Sequence, residues 1–172
     1  MQLDIETAFV EDEEDALKHV DGVLEFITKE INRECADQLK ILGKEVAVPK
    51  FPLKRLTYDE TLKLLKEDGI VIKWGDDLTP DAEKAICKHF NPVIITKWPT
   101  DIRSFYSLPE PGNEKICRSY DVLYNGTEVM SGAQRVHDVK QLVEIMKKKG
   151  MNPDNFKFYL DAFRYGIAPH AG

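Results

Sequence analysis

Asn125-Gly126 separates two alternating stretches, Ile116–Tyr124 and Thr127–Arg135. A two-residue Asn-Gly loop favours a type I′ hairpin, because both central residues take a positive φ that Asn and Gly tolerate. Such a turn fixes the register of its strands: Tyr124 lies opposite Thr127, Leu123 opposite Glu128 and Asp121 opposite Met130. Asp121 and Glu128 then share a face as diagonal neighbours, about 7–8 Å apart at the backbone. Two acids on a solvated face need no further account. Two acids in a pocket repel unless a cation lies between or beside them. Magnesium takes a few carboxylates and completes its shell with water and phosphate, so a metal holding a nucleotide is the functional alternative.

Arg135 bears on that choice. Strict alternation places it on the face opposite Glu128. Ser131-Gly132-Ala133 is where the alternation can break, since glycine in a strand marks a bulge or a close backbone approach. A bulge there returns Arg135 to the carboxylate face. Without one, it is a surface arginine beyond a strand end.

The remaining chain reads as strand, helix, helical insertion, strand, hairpin and two helices. Gln2–Phe9 alternates, with Gln2, Asp4 and Glu6 on the polar side, and predicts a half-buried strand. Apolar residues Leu17, Val20, Leu24, Ile27 and Ile31 recur at helical spacing, predicting a long helix from about Glu13 to Leu39. Residues 44–91 read as a small helical insertion, with Thr57-Tyr58-Asp59-Glu60 a capping box, Val71–Gly75 a brief strand and Thr79-Pro80 a helix start. Pro92–Thr96 is a short continuous apolar run, hence a buried strand. Asp138–Lys149 predicts a helix, and Asn152-Pro153 caps another with Phe156, Leu160 and Phe163 facing inward. Hairpin-linked strands with segregated helices point to an α+β fold, an antiparallel sheet flanked by helices.

Composition excludes several classes. The chain has 172 residues, a formal charge of −6 and a pI near 5.3, which disfavours capture of nucleic acid by bulk positive charge. Cys35, Cys87 and Cys117 form no paired motif, which favours buried thiols over a disulfide framework or zinc site. No stretch approaches the roughly 18 apolar residues of a membrane span. The acidic opening MQLDIETAFVEDEEDAL lacks the order of a signal peptide, so the expected compartment is the cytoplasm.

Three blocks carry a resemblance: QLDIETAFVEDEED, RSFYSLPEPGNEKICRSYDVLYNGTEVMSGAQRVHD and FYLDAFRYGIAPHAG. In this order they resemble the class II aminoacyl-tRNA synthetases, and within them aspartyl-tRNA synthetases of archaeal and eukaryotic type. The resemblance implies an antiparallel catalytic sheet, activation of aspartate by ATP with Mg2+, and transfer to tRNA. It implies that Glu128 binds ATP through magnesium with Asp121 beside it, and that Ser131 helps hold metal and aspartate. It implies that Arg135 grips the side-chain carboxylate of aspartate, where a planar fork makes contacts that lysine does not copy. It also implies that the strand holding Gln2 and Asp4 presents a carboxylate to the substrate ammonium.

Residues 1–172 then correspond to the part of a catalytic domain between the second and third class motifs. The first motif, which builds the dimer interface of a homodimeric parent, is not matched. Neither are the arginine-bearing second and third motifs or an anticodon-binding domain. The expectation is a truncated catalytic domain, inactive alone. The alternatives are an asparaginyl-tRNA synthetase or an asparagine synthetase-like paralogue, and a non-catalytic binding module.

Overall fold

The computed structural model describes residues 2–172. The hairpin organises it. Strands β6 (Ser119–Tyr124) and β7 (Thr127–Ala133) turn at Asn125 and Gly126, with φ of 53° and 80°. Strand β3 (Val93–Thr96) pairs antiparallel with β6, from Val93 opposite Leu123 to Thr96 opposite Tyr120. All four β3 residues are buried, as a continuous apolar run requires. Strand β2 (Lys54–Thr57) completes the order β2-β3-β6-β7.

The expected antiparallel sheet is therefore mixed, because β2 runs parallel to β3. The reason is the connection. Helices α3 (Tyr58–Glu67) and α4 (Pro80–His89) carry the chain back to the starting end of the sheet, which makes the next strand parallel. The segment 44–91, read as an insertion, thus supplies one strand of the main sheet. Val71–Gly75 forms no strand. The caps behave as their residues dictate: Thr57 and Glu60 form a reciprocal capping box, and the Thr79 hydroxyl accepts from the Ala82 N–H with Pro80 in the first turn.

Helices cover both sheet faces. Leu65 and Ile86 from α3 and α4 pack with Val93, Ile95, Trp98 and Leu123 on one side. On the other, Leu17 and Leu24 of α1 (Glu13–Glu34) pack with Ile94, Tyr120 and Val122. The long helix predicted to Leu39 breaks at Cys35, whose φ of −116° is not helical, and resumes as α2 (Ala36–Leu42). A ribbon of β4 (Pro109–Glu110) and β5 (Asn113–Cys117) precedes β6. Helices α5 (Val139–Lys148) and α6 (Lys157–Tyr165) close a third cluster around Val136, Leu142, Met146 and Leu160. A 3-10 turn, Pro153–Phe156, stands between the Asn152 cap and α6. Of the three free thiols only Cys117 is buried; Cys35 and Cys87 are half-buried.

Gln2–Phe9 departs most from expectation. Only Thr7–Ala8 forms a strand (β1), paired with β8 (His170–Ala171). Leu3 and Phe9 are 70% and 85% exposed. Alternation makes a strand only where one face is covered and a neighbour takes the ladder hydrogen bonds. Among the described residues, none pairs with 2–6.

A partly buried ionic cluster around the buried Glu13 ties the start of α1 to the sheet. Lys97 Nζ lies 2.5 Å from both Glu13 and Glu110, and Arg118 Nε lies 3.8 Å and 3.5 Å from the same two acids. Arg118 also donates to the Gln134 side chain at 2.7 Å.

Gly132 has a specific steric cause. A Cβ there would meet the Tyr120 ring at 2.4 Å and the Gly172 carbonyl oxygen at 2.5 Å. Gly132→Ala is expected to cost about 1–3 kcal/mol by overpacking. Chemical denaturation monitored by circular dichroism checks this; unchanged stability would show that the ring and the chain end move aside freely.

Candidate functional site

The hairpin register carries the site. Leu123 lies opposite Glu128, but Val122 lies opposite Met130, so Val129 is an extra residue on β7. Beyond it, Asp121 faces Ser131 and Ser119 faces Ala133 without interruption. The irregularity expected at Ser131–Ala133 therefore sits earlier, at Val129. Gly132 serves the other role of a strand glycine, close approach by Tyr120 and Gly172. With this register Asp121, Leu123, Glu128 and Ser131 share one face. The expected pairing of Asp121 with Met130 is replaced by Asp121 with Ser131.

Asp121 is 2% exposed, and Arg103 Nη2 pairs with its Oδ2. The cation found beside the acid is thus an arginine. Burial pushes the carboxyl up to about 7 against the pull of Arg103, and the charge of Glu128 adds to the rise. The other oxygen, Oδ1, is buried with no hydrogen-bond partner. Arg103 lies over the Trp98 ring, 4.1 Å from its centroid.

Among the described residues no three His, Cys, Asp or Glu side chains gather into a metal cage. Asp121, Glu128 and Ser131 instead put two acids and a hydroxyl on one face, with one buried oxygen of Asp121 unsatisfied. That donor set fits magnesium, which keeps waters and phosphate oxygens in its shell.

A cavity of about 590 Å³ runs along β7, bounded by α1 and the segment 2–7. Gln2, Asp4, Glu128 and Ser131 line it, with His19 and Met130. Gln2 Nε2 donates to Asp4 Oδ1 at 2.9 Å. Its size suits a small ligand. Asp121 and Arg135 do not line it. Arg135 instead holds Glu6 Oε1, donating from Nε at 3.1 Å and Nη2 at 2.6 Å, and lies 5.0 Å from the Tyr106 ring centroid. Its backbone N–H donates to the His170 carbonyl at 2.8 Å. Sequence reading missed Arg103 and Trp98 as neighbours of Asp121, and Glu6 as the partner of Arg135. Glu6 had a signal, its place beside Gln2 and Asp4 on the polar side of the alternation.

Over residues 1–172 the sequence matches the family described as tRNA synthetases class II (D, K and N). The chain belongs to this family. The chain is 42% identical over 171 residues to an aspartate–tRNA(Asp/Asn) ligase of Methanocaldococcus jannaschii, covering 99% of this chain and 39% of that protein. It is 39% identical over 171 residues to an aspartate–tRNA(Asp) ligase of Thermoplasma acidophilum, covering 99% and 40%. The chain thus spans about two-fifths of the length of these relatives.

Solved structures agree with the α+β fold. The aspartyl-tRNA synthetase of Entamoeba histolytica superposes with a TM-score of 0.87 at 33% identity, covering 96% of this chain and 36% of that one. The asparaginyl-tRNA synthetase of Pyrococcus horikoshii, complexed with asparaginyl-adenylate, superposes with a TM-score of 0.90 at 26% identity, covering 96% and 39%. No helix among the described residues is long and apolar enough to cross a membrane.

Proposed function

We propose that residues 1–172 are the part of a catalytic domain between the second and third class motifs, and that the complete enzyme is an aspartate–tRNA ligase. It activates aspartate with ATP and transfers it to tRNA in the cytoplasm, as a homodimer. The observation that carries this reading is that Gln2, Asp4, Glu128 and Ser131 line one cavity, while Glu128 and Ser131 share a face with Asp121. Asp4 then offers the cavity a carboxylate for an ammonium, and Glu128 stands at its edge on the face it shares with Asp121, where the cation of a nucleotide would sit. Asp121, Glu128 and Ser131 would hold Mg2+, which when bound neutralises the phosphates of ATP. Gln2, Asp4 and Ser131 bind aspartate. Arg135 turns from Glu6 to the side-chain carboxylate of the substrate. The chain alone is inactive in this reading, because a departing pyrophosphate needs positive charge at the α-phosphate and the cavity offers none from this chain.

A second reading rests on Glu6. A guanidinium already held by a carboxylate has less charge to offer a second one, which favours a neutral amide such as asparagine. Amino-acid-dependent pyrophosphate exchange in the full-length protein carrying this segment separates the two. Aspartate is expected to drive exchange and asparagine not. Arg135→Lys should raise the aspartate KM roughly 10- to 100-fold, the equivalent of about 1.5–3 kcal/mol for a charge-assisted contact, and leave the ATP KM unchanged. Glu128→Gln should do the reverse. Exchange driven by asparagine would select the second reading.

A further inference from the structure

We propose that Arg103 is a positioning residue for the cation site: stacked on Trp98, it pins one oxygen of Asp121 and thereby presents the other beside Glu128. Arg103 lies outside the hairpin, directly after the 3-10 turn Thr100–Ile102.

The geometry has three parts. The first is the platform. Trp98 is 1% exposed, its indole N–H donates to the Ile95 carbonyl at 3.2 Å, and its ring lies 5.1 Å from that of Tyr58. A ring held on several sides fixes the plane that lies on it. The second is the contact. Arg103 reaches Asp121 Oδ2 through Nη2, and its Nε has no partner, so stacking on Trp98 orients the guanidinium as much as the ion pair does. The third is the free oxygen. Oδ1 of Asp121 is buried and accepts from nothing, a costly state that a ligand relieves. Asp121 faces Ser131 across the ladder, two pairs from the position of Glu128 and on the same face as it. A carboxylate with one oxygen clamped behind it and one free ahead is how an outer group aims a metal ligand.

The inference takes from the proposed function only the cation. Its test uses the chain alone, without ATP, amino acid or tRNA, so failure of either reading leaves the other distinguishable. Mn2+ is titrated into the protein and free ion is read by electron paramagnetic resonance, with folding checked by circular dichroism. Asp121→Asn and Glu128→Gln should each weaken binding. Arg103→Lys keeps the charge but loses the flat stacking surface. It should weaken Mn2+ binding roughly 10- to 100-fold, the usual effect of losing an outer-shell partner. A merely structural arginine would lower the melting temperature and leave the Mn2+ affinity of the folded protein where it was. A folded Arg103→Lys protein that binds Mn2+ as well as or better than the unmodified chain overturns the proposal, as does an unmodified chain that binds no Mn2+. If Arg103→Lys does not fold, Trp98→Phe decides, since it shrinks the platform without touching the ion pair. Weaker Mn2+ binding then supports the proposal and equal binding overturns it.

Discussion

Replacing Lys97 by methionine is expected to lower the unfolding free energy by about 3–5 kcal/mol, the range for breaking a buried pair from one side. Glu13 is 3% exposed, and Lys97 is its nearest cation at 2.5 Å. Arg118 lies 3.8 Å from the same acid and softens the loss, which places the expected value near the lower end. Burial alone would lower the lysine pKa, but the hydrogen bonds to Glu110 and Glu13 outweigh it and keep the ammonium charged. The backbone at Lys97 has a φ of 57°, an uncommon conformation for a residue with a side chain, and the two carboxylates help to hold it there. Urea denaturation followed by far-UV circular dichroism gives the number. A loss below about 1 kcal/mol would place the cluster with surface ion pairs, which contribute little.

The second large effect is the pH dependence of stability. Asp121 titrates near 7 in the fold against an ordinary 3.8, with burial as the main cause and Arg103 opposing it. The folded value is raised, so the folded state binds the proton more tightly than the unfolded chain does. Its stabilising contribution is full below about pH 4 and is lost as pH rises through about 7. A gap of about three pH units at about 1.4 kcal/mol each gives a fall of roughly 4 kcal/mol. Glu110 acts in the opposite sense. Burial raises its pKa, but the hydrogen bond and charge of Lys97 more than reverse this, so its contribution disappears as pH falls below its usual range. Stability should therefore decline from mildly acidic to neutral pH. Asp121→Asn should remove that decline, and melts across this range compare the two proteins directly. A decline of the same size in Asp121→Asn would assign it to another group.

What the sequence revealed was mostly local. The turn at Asn125-Gly126, the cap at Thr79-Pro80 and the box at Thr57 depend on residues within a few positions of one another, and all formed as their chemistry requires. The shared face of Asp121 and Glu128 was also legible, because a two-residue turn sets the first pairs. The Val129 bulge was not, since valine fits a regular strand as well as an irregular one. The parallel pairing of β2 was hidden because Lys54–Thr57 meets Val93–Thr96 only after an intervening helical crossover. Arg103 on Asp121 and Glu6 on Arg135 join residues far apart in the chain, and no spacing rule encodes such meetings. Gln2–Glu6 misled for the opposite reason: its period was right, but period alone supplies no neighbouring strand.

The pairing of β1 with β8 has a consequence for the order of assembly. Thr7 meets Ala171, and Gly172 pairs in both directions with Ala133, so one wall of the cavity closes a loop spanning almost the entire chain. Each doubling of the enclosed length adds about 0.6 kcal/mol of closure entropy, and contacts of such long range form slowly. The hairpin carrying Asp121, Glu128 and Ser131 encloses two residues and can nucleate by itself. The register of the acids thus rests on local pairs, whereas the cavity wall beside Glu128 rests on contacts of the longest range, which loop-closure entropy makes slower to form.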